Sequence, residues 1–173
     1  MTLSRRTTLA AMLVGVAAVS LLSAPVSADG LADGKAAGTL TVNGKVTNVA
    51  YAYARSIPGF FDKTKNDVQL IVSDVPLDAP ALADEFVRAD LARQGKLHAF
   101  EITIDAGGTP ISTVWRHDGF KGPTPSGLSS ADVFTKKTFD SKTVEGSYKS
   151  AAPGDFFDNT FAFDVSFRAA VAH

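Results

Sequence analysis

The chain has 173 residues, 17 of them basic and 18 acidic, with twelve phenylalanines and no cysteine. A near-neutral chain without a basic cluster lacks the electrostatic footprint that nucleic-acid binding requires. The missing cysteine excludes disulfides, a lipobox and thiolate ligation, so stability rests on a hydrophobic core alone.

Ser4-Arg5-Arg6-Thr7-Thr8-Leu9 makes a charged start, an apolar run follows from Leu9 to Leu22, and Val26-Ser27-Ala28 supplies small residues for cleavage before Asp29. That run is shorter than the roughly 20 residues a membrane helix needs. Residues 1–28 therefore read as a cleaved export signal. Residues 29–173 read as a single soluble β-rich domain, periplasmic or secreted and not lipid-anchored. The paired arginines resemble the twin-arginine motif of the route that exports folded proteins, although Thr8 stands where that motif usually has Phe, and Ala10 where Lys is common. Ordinary secretory signals also carry paired basic residues, so both routes stay open. Removing 28 of the 173 residues leaves 145, enough for one core; Arg5 and Arg6 leave with the signal, so 15 basic residues face 18 acidic ones, a formal charge of −3.

Gly38 to Asn43 alternates as a strand, and Asn43-Gly44 is a two-residue hairpin signal because both residues tolerate positive φ. The return strand, Lys45 to Ser56, places Val49, Tyr51, Tyr53 and Arg55 on one face and Ala50, Ala52 and Ala54 on the other. Asp67 to Ser73 is a third strand with Val68, Leu70 and Val72 inward. Asp78 is a good N-cap for a helix over Ala79–Gln94, with Leu82, Phe86 and Val87 apolar, Asp84 four residues before Arg88, and Gly95 as terminator. Leu97–Asp105 and Ile111–Asp118 form a hairpin across Ala106-Gly107-Gly108. Residues 119–130, rich in Gly, Pro and Ser, read as a loop. Three strands close the chain, Ala131–Phe139, Thr143–Lys149 and Thr160–Val171, the last with Phe161, Phe163, Val165 and Phe167 on its buried face.

About eight antiparallel strands and one helix predict a mainly β fold: a sandwich or barrel with the helix packed on it or capping it. An eight-stranded outer-membrane barrel fits less well, because its strands would be longer and a helix of this size has no place in it.

Two segments echo each other. Pro58-Gly59-Phe60-Phe61-Asp62-Lys63-Thr64 and Pro153-Gly154-Asp155-Phe156-Phe157-Asp158-Asn159-Thr160 each place two aromatic residues before an Asp that can bond the backbone after it. If these loops converge, Phe60, Phe61, Asp62, Phe156, Phe157 and Asp158 make a surface suited to a sugar, a cationic group or a partner protein. If they do not, each pair plugs one end of the core. Convergence depends on the helix: a crossover puts both loops at one end, and a simple reversal puts them at opposite ends.

His98 and His117 depend on hairpin register. Pairing Ile104 with Ile111 sets Phe100 against Trp115 and His98 against His117, half of a metal site or a pH-sensitive pair. A one-residue slip would separate them. Asp118 is adjacent, though strand alternation points it away. Glu101 and Asp105 flank Thr103 as possible paired carboxylates. No Gly-x-Ser-x-Gly elbow or phosphate-binding glycine pattern occurs, and no catalytic residue or cofactor is expected.

The run through Asn43-Gly44, Tyr51-Ala52-Tyr53-Ala54-Arg55, Phe61-Asp62-Lys63 and Ser73-Asp74-Val75-Pro76-Leu77, with Phe156-Phe157-Asp158, resembles small exported bacterial β-rich proteins of uncharacterised function. That resemblance implies an exported bacterial origin and no activity. The features together favour a non-catalytic binding module whose aromatic and Asp loops hold a small ligand or an envelope partner, with no nucleic acid and no stable membrane insertion. The alternatives are a metal-assisted or acid–base enzyme using His98 and His117, and a structural envelope protein without ligand.

Overall fold

A computed structural model describes residues 30–173. The export signal expected over residues 1–28, with Arg5, Arg6 and a cut before Asp29, lies outside the described residues.

The fold is mainly β, a single antiparallel sheet curled into a half-barrel. Its strands are β1 (Lys35–Val42), β2 (Lys45–Asn48), β3 (Tyr51–Pro58), β4 (Asn66–Ser73), β5 (Ala99–Ile104), β6 (Pro110–Arg116), β7 (Val133–Phe139), β8 (Thr143–Lys149), β9 (Gly154–Phe156) and β10 (Asn159–Ala172). They run in the order β6-β5-β4-β3-β1-β10-β8-β7, with β2 paired to β1 and β9 to β10. The curl is visible in the aromatic rings. Trp115 on β6 and Phe161 on β10 are five strand spacings apart, about 24 Å along a flat sheet, yet their ring centroids lie 5.5 Å apart. Phe100 on β5 reaches Phe163 on β10 at 4.6 Å in the same way. The concave face holds the core: Leu40, Val42, Ala52, Leu70, Val72, Phe100, Ile102, Val165 and Phe167 are all buried there. The segment after β6 partly covers that strand's open edge, through a bridge between Val114 and Ser126 and a hydrogen bond from Gly127 N to Thr113 O. Among the described residues no helix is long and apolar enough to cross a membrane.

Asn43 (φ 51°) and Gly44 (φ 78°) form the expected two-residue turn, pairing Val42 with Lys45. The return strand is not continuous. It breaks at Val49 and Ala50 into β2 and β3, and the break resets the alternation, so Val49 joins Ala52 and Ala54 in the core instead of siding with Tyr53. Gly38 sits tight against β10: its φ is 112°, and a Cβ there would sit 2.0 Å from Asp164 O. At its far end β10 runs briefly parallel to β3, Ala54 opposite Val171.

The expected single helix is two. Helix α1 (Ala79–Ala83) is capped by Asp78, whose carboxylate accepts from Ala81 N at 3.0 Å. At Asp84 the backbone is extended (φ −119°, ψ 120°), and its carboxylate accepts from Phe86 N at 2.7 Å to start helix α2 (Glu85–Arg93). Asp84 therefore caps a helix rather than pairing with Arg88, because a short side chain next to an orphan N–H satisfies the backbone more locally than an ion pair one turn away. Gly95 (φ 67°) ends α2, with Gly95 N bonding Ala92 O and Lys96 N bonding Leu91 O.

Helices α1 and α2 cover the convex face of β4 and β5, where Ile71, Leu97 and Ala99 form a second small core with Tyr53 and Leu91. Phe86 points to solvent, and the buried side of α2 carries Arg88 and Ala92. Arg88 is fully buried and forks onto Glu101 at 3.0 and 2.8 Å, while its third nitrogen donates to Ala81 O at 2.7 Å. Arg116 donates to the same carboxylate at 2.7 Å. Glu101 is thus an anchor for the helices and not half of a free carboxylate pair. Asp105 is likewise spent on the β5–β6 turn, accepting from Gly107 N and Thr109 N.

The helices reverse the chain between neighbouring antiparallel strands, Val72 of β4 lying opposite Phe100 of β5. They are not a crossover, and this fixes where the aromatic loops fall.

Candidate functional site

The β5–β6 register is the one that opposes the histidines. Phe100 pairs with Trp115 and Ala99 with Arg116, which brings His98, just before β5, beside His117, just after β6. Their ring centroids lie 4.4 Å apart. A bulge between Thr103 and Ile104 pairs Ile104 with Pro110 rather than Ile111, without disturbing the histidine end.

Both ring nitrogens of His98 face carboxylates. Asp74, following β4, takes the His98 backbone N–H at 2.8 Å on one oxygen and meets Nδ1 at 2.6 Å with the other. Asp118 Oδ1 stands 2.9 Å from Nε2. Asp118 does not point away from the site, because β6 ends at Arg116 and strand alternation stops with it. Lys45, opening β2, donates to Asp118 at 3.0 Å and lies 3.5 Å from His98 Nε2. The Lys45 hydrogen bond outweighs partial burial and, with that of His98, holds Asp118 below the usual carboxylate range.

His117 differs. Burial first, and then the charge of His98, push its ring down to about 4 against the pull of Asp118. Its Nδ1 accepts the Gly119 N–H at 2.9 Å, so the neutral ring carries its proton on Nε2, 3.2 Å from Thr47 Oγ1. The tautomer follows from this bonding pattern. Among the described residues no buried side-chain nitrogen or oxygen lacks a partner. A ligand entering here exchanges existing hydrogen bonds rather than filling an unmet one.

A cavity of about 460 Å³ opens beside the pair. Trp115, Arg116, His117 and Asp118 at the end of β6, Arg93 and Ala92 of α2, and Phe120 with residues 122–124 line it. Asn159 holds its outer wall. Fully buried, it accepts from Lys121 N at 2.8 Å and from Asn43 Nδ2 at 2.9 Å, and it donates to Phe157 O at 2.8 Å.

The aromatic loops do not converge. Because β3 and β10 run parallel where they touch, the Phe60–Phe61 loop after β3 lies at the end where β10 finishes, and the Phe156–Phe157 turn lies where β10 begins. The rings of each pair meet edge to face, at 4.9 and 4.7 Å, and the two pairs lie at opposite ends. Their shared sequence also folds in two ways. Asp62 accepts from Thr64 N and Oγ1, a local turn. Phe157 (φ 43°) and Asp158 (φ 59°) instead form the tip of a hairpin between β9 and β10. Phe60, Phe61 and Phe157 are exposed, so they do not plug the core. The Phe156–Phe157 turn shares its end of the half-barrel with the histidines: Asn159 bonds Phe157 O and Asn43, Asn43 bonds Gly119 O, and Gly119 N bonds His117 Nδ1.

Asp74, Lys45 and Asn159 are absent from the sequence-based set. Each reaches the site from a segment remote in sequence, and nothing local to these residues signals it. No family model, curated protein or solved structure matches the chain.

Proposed function

We propose that the chain is an exported, non-catalytic binding module, periplasmic or secreted, whose ligand is a small amphiphilic organic molecule held in the cavity beside His117 and Asp118. The observation that carries this reading is the cavity's lining: an apolar wall from Trp115, Phe120 and Ala92, with Arg93 and Arg116 at its polar side. An apolar wall with a few polar groups beside it is the usual make-up of a small-molecule site. It suits a molecule with an apolar body and an anionic group. The charged start and small-residue cleavage pattern of residues 1–28 support export. The separated Phe-Phe-Asp loops argue against one joint aromatic surface, which moves the binding site from those loops to the cavity.

Trp115 is the only tryptophan and lines the cavity, so it reports on occupancy. The probe is 8-anilinonaphthalene-1-sulfonate, which pairs an apolar ring system with an anion. Saturable binding with energy transfer from Trp115, lost in Thr124→Phe at the exposed mouth, is the expected result. A probe signal that is absent, or indifferent to that substitution, refutes the reading. Acid–base chemistry by His117 on the bound molecule is a second reading, favoured by that ring's place in the lining.

A further inference from the structure

We propose that His98, His117 and Asp118 form a binding site for a divalent transition-metal ion, of the Zn²⁺ class, with an open coordination position toward the cavity. This goes beyond the binding reading and does not depend on it. The three side chains each offer a ligand atom, all within 4.8 Å of one another. Asp118 Oδ1 is 2.9 Å from His98 Nε2 and 3.5 Å from His117 Nδ1. Ligand atoms around a tetrahedral ion with bonds near 2.0–2.1 Å stand about 3.3 Å apart, so the cluster needs only small adjustments to close on an ion.

The outer contacts are arranged for ligation. Coordination through His98 Nε2 leaves Nδ1–H on Asp74, whose carboxylate is already tied to the His98 backbone. Coordination through His117 Nδ1 leaves Nε2–H on Thr47 and exchanges the half-buried Gly119 N–H for the ion. Oriented second nitrogens of this kind fix the tautomer and ring angle of metal-bound histidines. Two imidazoles and one carboxylate favour a borderline ion over Mg²⁺ or Ca²⁺, which prefer all-oxygen shells.

A cation already stands against this site. The Lys45 ammonium touches Asp118 and approaches His98 Nε2, and its side chain is 53% exposed. It can swing into water as the ion enters, so Lys45 acts as a resident competitor for the metal.

The test is titration of the purified chain, desalted without chelators, with Zn²⁺ by calorimetry and with Co²⁺ by visible absorption. One ion per chain and the d–d spectrum of four-coordinate Co²⁺ are expected. Asp118→Asn, a near-isosteric change at an exposed residue, abolishes that spectrum. Asp74→Asn weakens Zn²⁺ binding by about 10–100-fold, as loss of an orienting carboxylate does elsewhere. Lys45→Ala tightens it by about tenfold by removing the competing charge. A purely structural cluster would show no tightening in Lys45→Ala. His173→Ala, at the exposed terminal histidine, leaves binding unchanged. Absence of stoichiometric binding overturns the proposal, as does binding that survives Asp118→Asn or is not strengthened by Lys45→Ala. Because the probe is the ion alone, failure here leaves the cavity reading standing, and the reverse also holds.

Discussion

Glu101 is the residue on which attachment of the helices turns. Its carboxylate receives Arg88 at 3.0 and 2.8 Å and Arg116 at 2.7 Å, with Gln69 Nε2 at 3.2 Å. Glu101→Gln keeps the volume and removes the charge, leaving the fully buried Arg88 guanidinium opposite a neutral amide. Breaking a buried pair in this way costs about 3–5 kcal/mol. The lower end applies, because Arg88 keeps its bonds to Ala81 O and Leu82 O. Arg88→Met carries a penalty of the same order. The double variant Arg88→Met/Glu101→Leu strands neither charge and leaves Arg116 with Glu85, so it falls short of the summed single costs by about 2 kcal/mol. Burial alone would raise the Glu101 carboxyl, yet the hydrogen bonds and charges of Arg88 and Arg116 hold it below its ordinary 4.5. A carboxyl lowered in the folded state contributes stability that is complete above its unfolded value and is lost as pH falls through the folded one. The gap between wild type and Glu101→Gln is therefore constant at neutral pH and narrows as pH drops below 4.5. Urea midpoints with an unchanged slope measure each quantity. Strictly additive single substitutions, or a gap that widens in acid, would refute the reasoning.

In metal-free protein the His117 ring is expected to titrate at about 4 by NMR instead of near 6.5. A lowered folded value makes its contribution, about 3 kcal/mol at 1.36 per pKa unit, complete above pH 6.5 and lost as pH falls toward 4. His98, Asp118, Lys45 and Asp74 surround the ring, so the comparison is with His117→Asn, which keeps an acceptor for Gly119 N–H; a stability slope unaltered by that change between pH 6.5 and 4 contradicts the assignment. Asn159→Ala removes the fully buried amide that bonds the part-buried backbone groups of Lys121 and Phe157 and is expected to cost about 1–2 kcal/mol. It also speeds amide exchange across residues 119–124, and an exchange pattern matching wild type would show that Asn159 does not hold the cavity wall. Gly38→Ala drives a Cβ into Asp164 O at a φ of 112°, so thermal melts should reveal a loss of more than about 2 kcal/mol, and a neutral result would mean that β1 and β10 part easily there.

Much of the sheet was legible because its signals are local. Phe163, Val165 and Phe167 alternate with polar neighbours and are buried on one face of β10, and Asn43-Gly44 carries the positive φ values of its turn. The errors came where two local rules competed. Asp84 satisfies both an i,i+4 pair with Arg88 and an N-cap, and the cap prevails because an extended Asp84 lets Arg88 turn inward to Glu101. Alternation through Lys45–Ser56 looked unbroken, but periodicity does not register a break that swaps faces at Val49 and Ala50. The hairpin at Phe157-Asp158 was hidden because neither residue type ordinarily advertises a two-residue turn of positive φ.

The histidine pair was legible for a different reason: strand pairing converts one register into many contacts. Fixing Phe100 on Trp115 also fixes His98 on His117, so a packing preference between two large rings decides where two titratable rings meet. The partners around them have no such shortcut. Asp74, Lys45 and Asp118 arrive from the end of β4, the start of β2 and the residue beyond β6, and only the curl of the half-barrel brings those ends together. The same curl places the Asn43-Gly44 turn, Asn159 and residues 119–124 at that end, through Asn43 Nδ2 bonding both Gly119 O and Asn159 Oδ1. The opposite end carries the Phe60–Phe61 loop and the Asp105–Thr109 turn, where Asp62 and Asp105 spend their carboxylates on local turns. The paired histidines, Asp74, Asp118 and Lys45 are therefore gathered at one rim, while Asp67, Asp140 and His173 line a separate cavity at the other. If the proposed ligand binds in the cavity at that rim, substitutions at the Phe60–Phe61 end are expected to leave its binding unchanged in the same fluorescence titration.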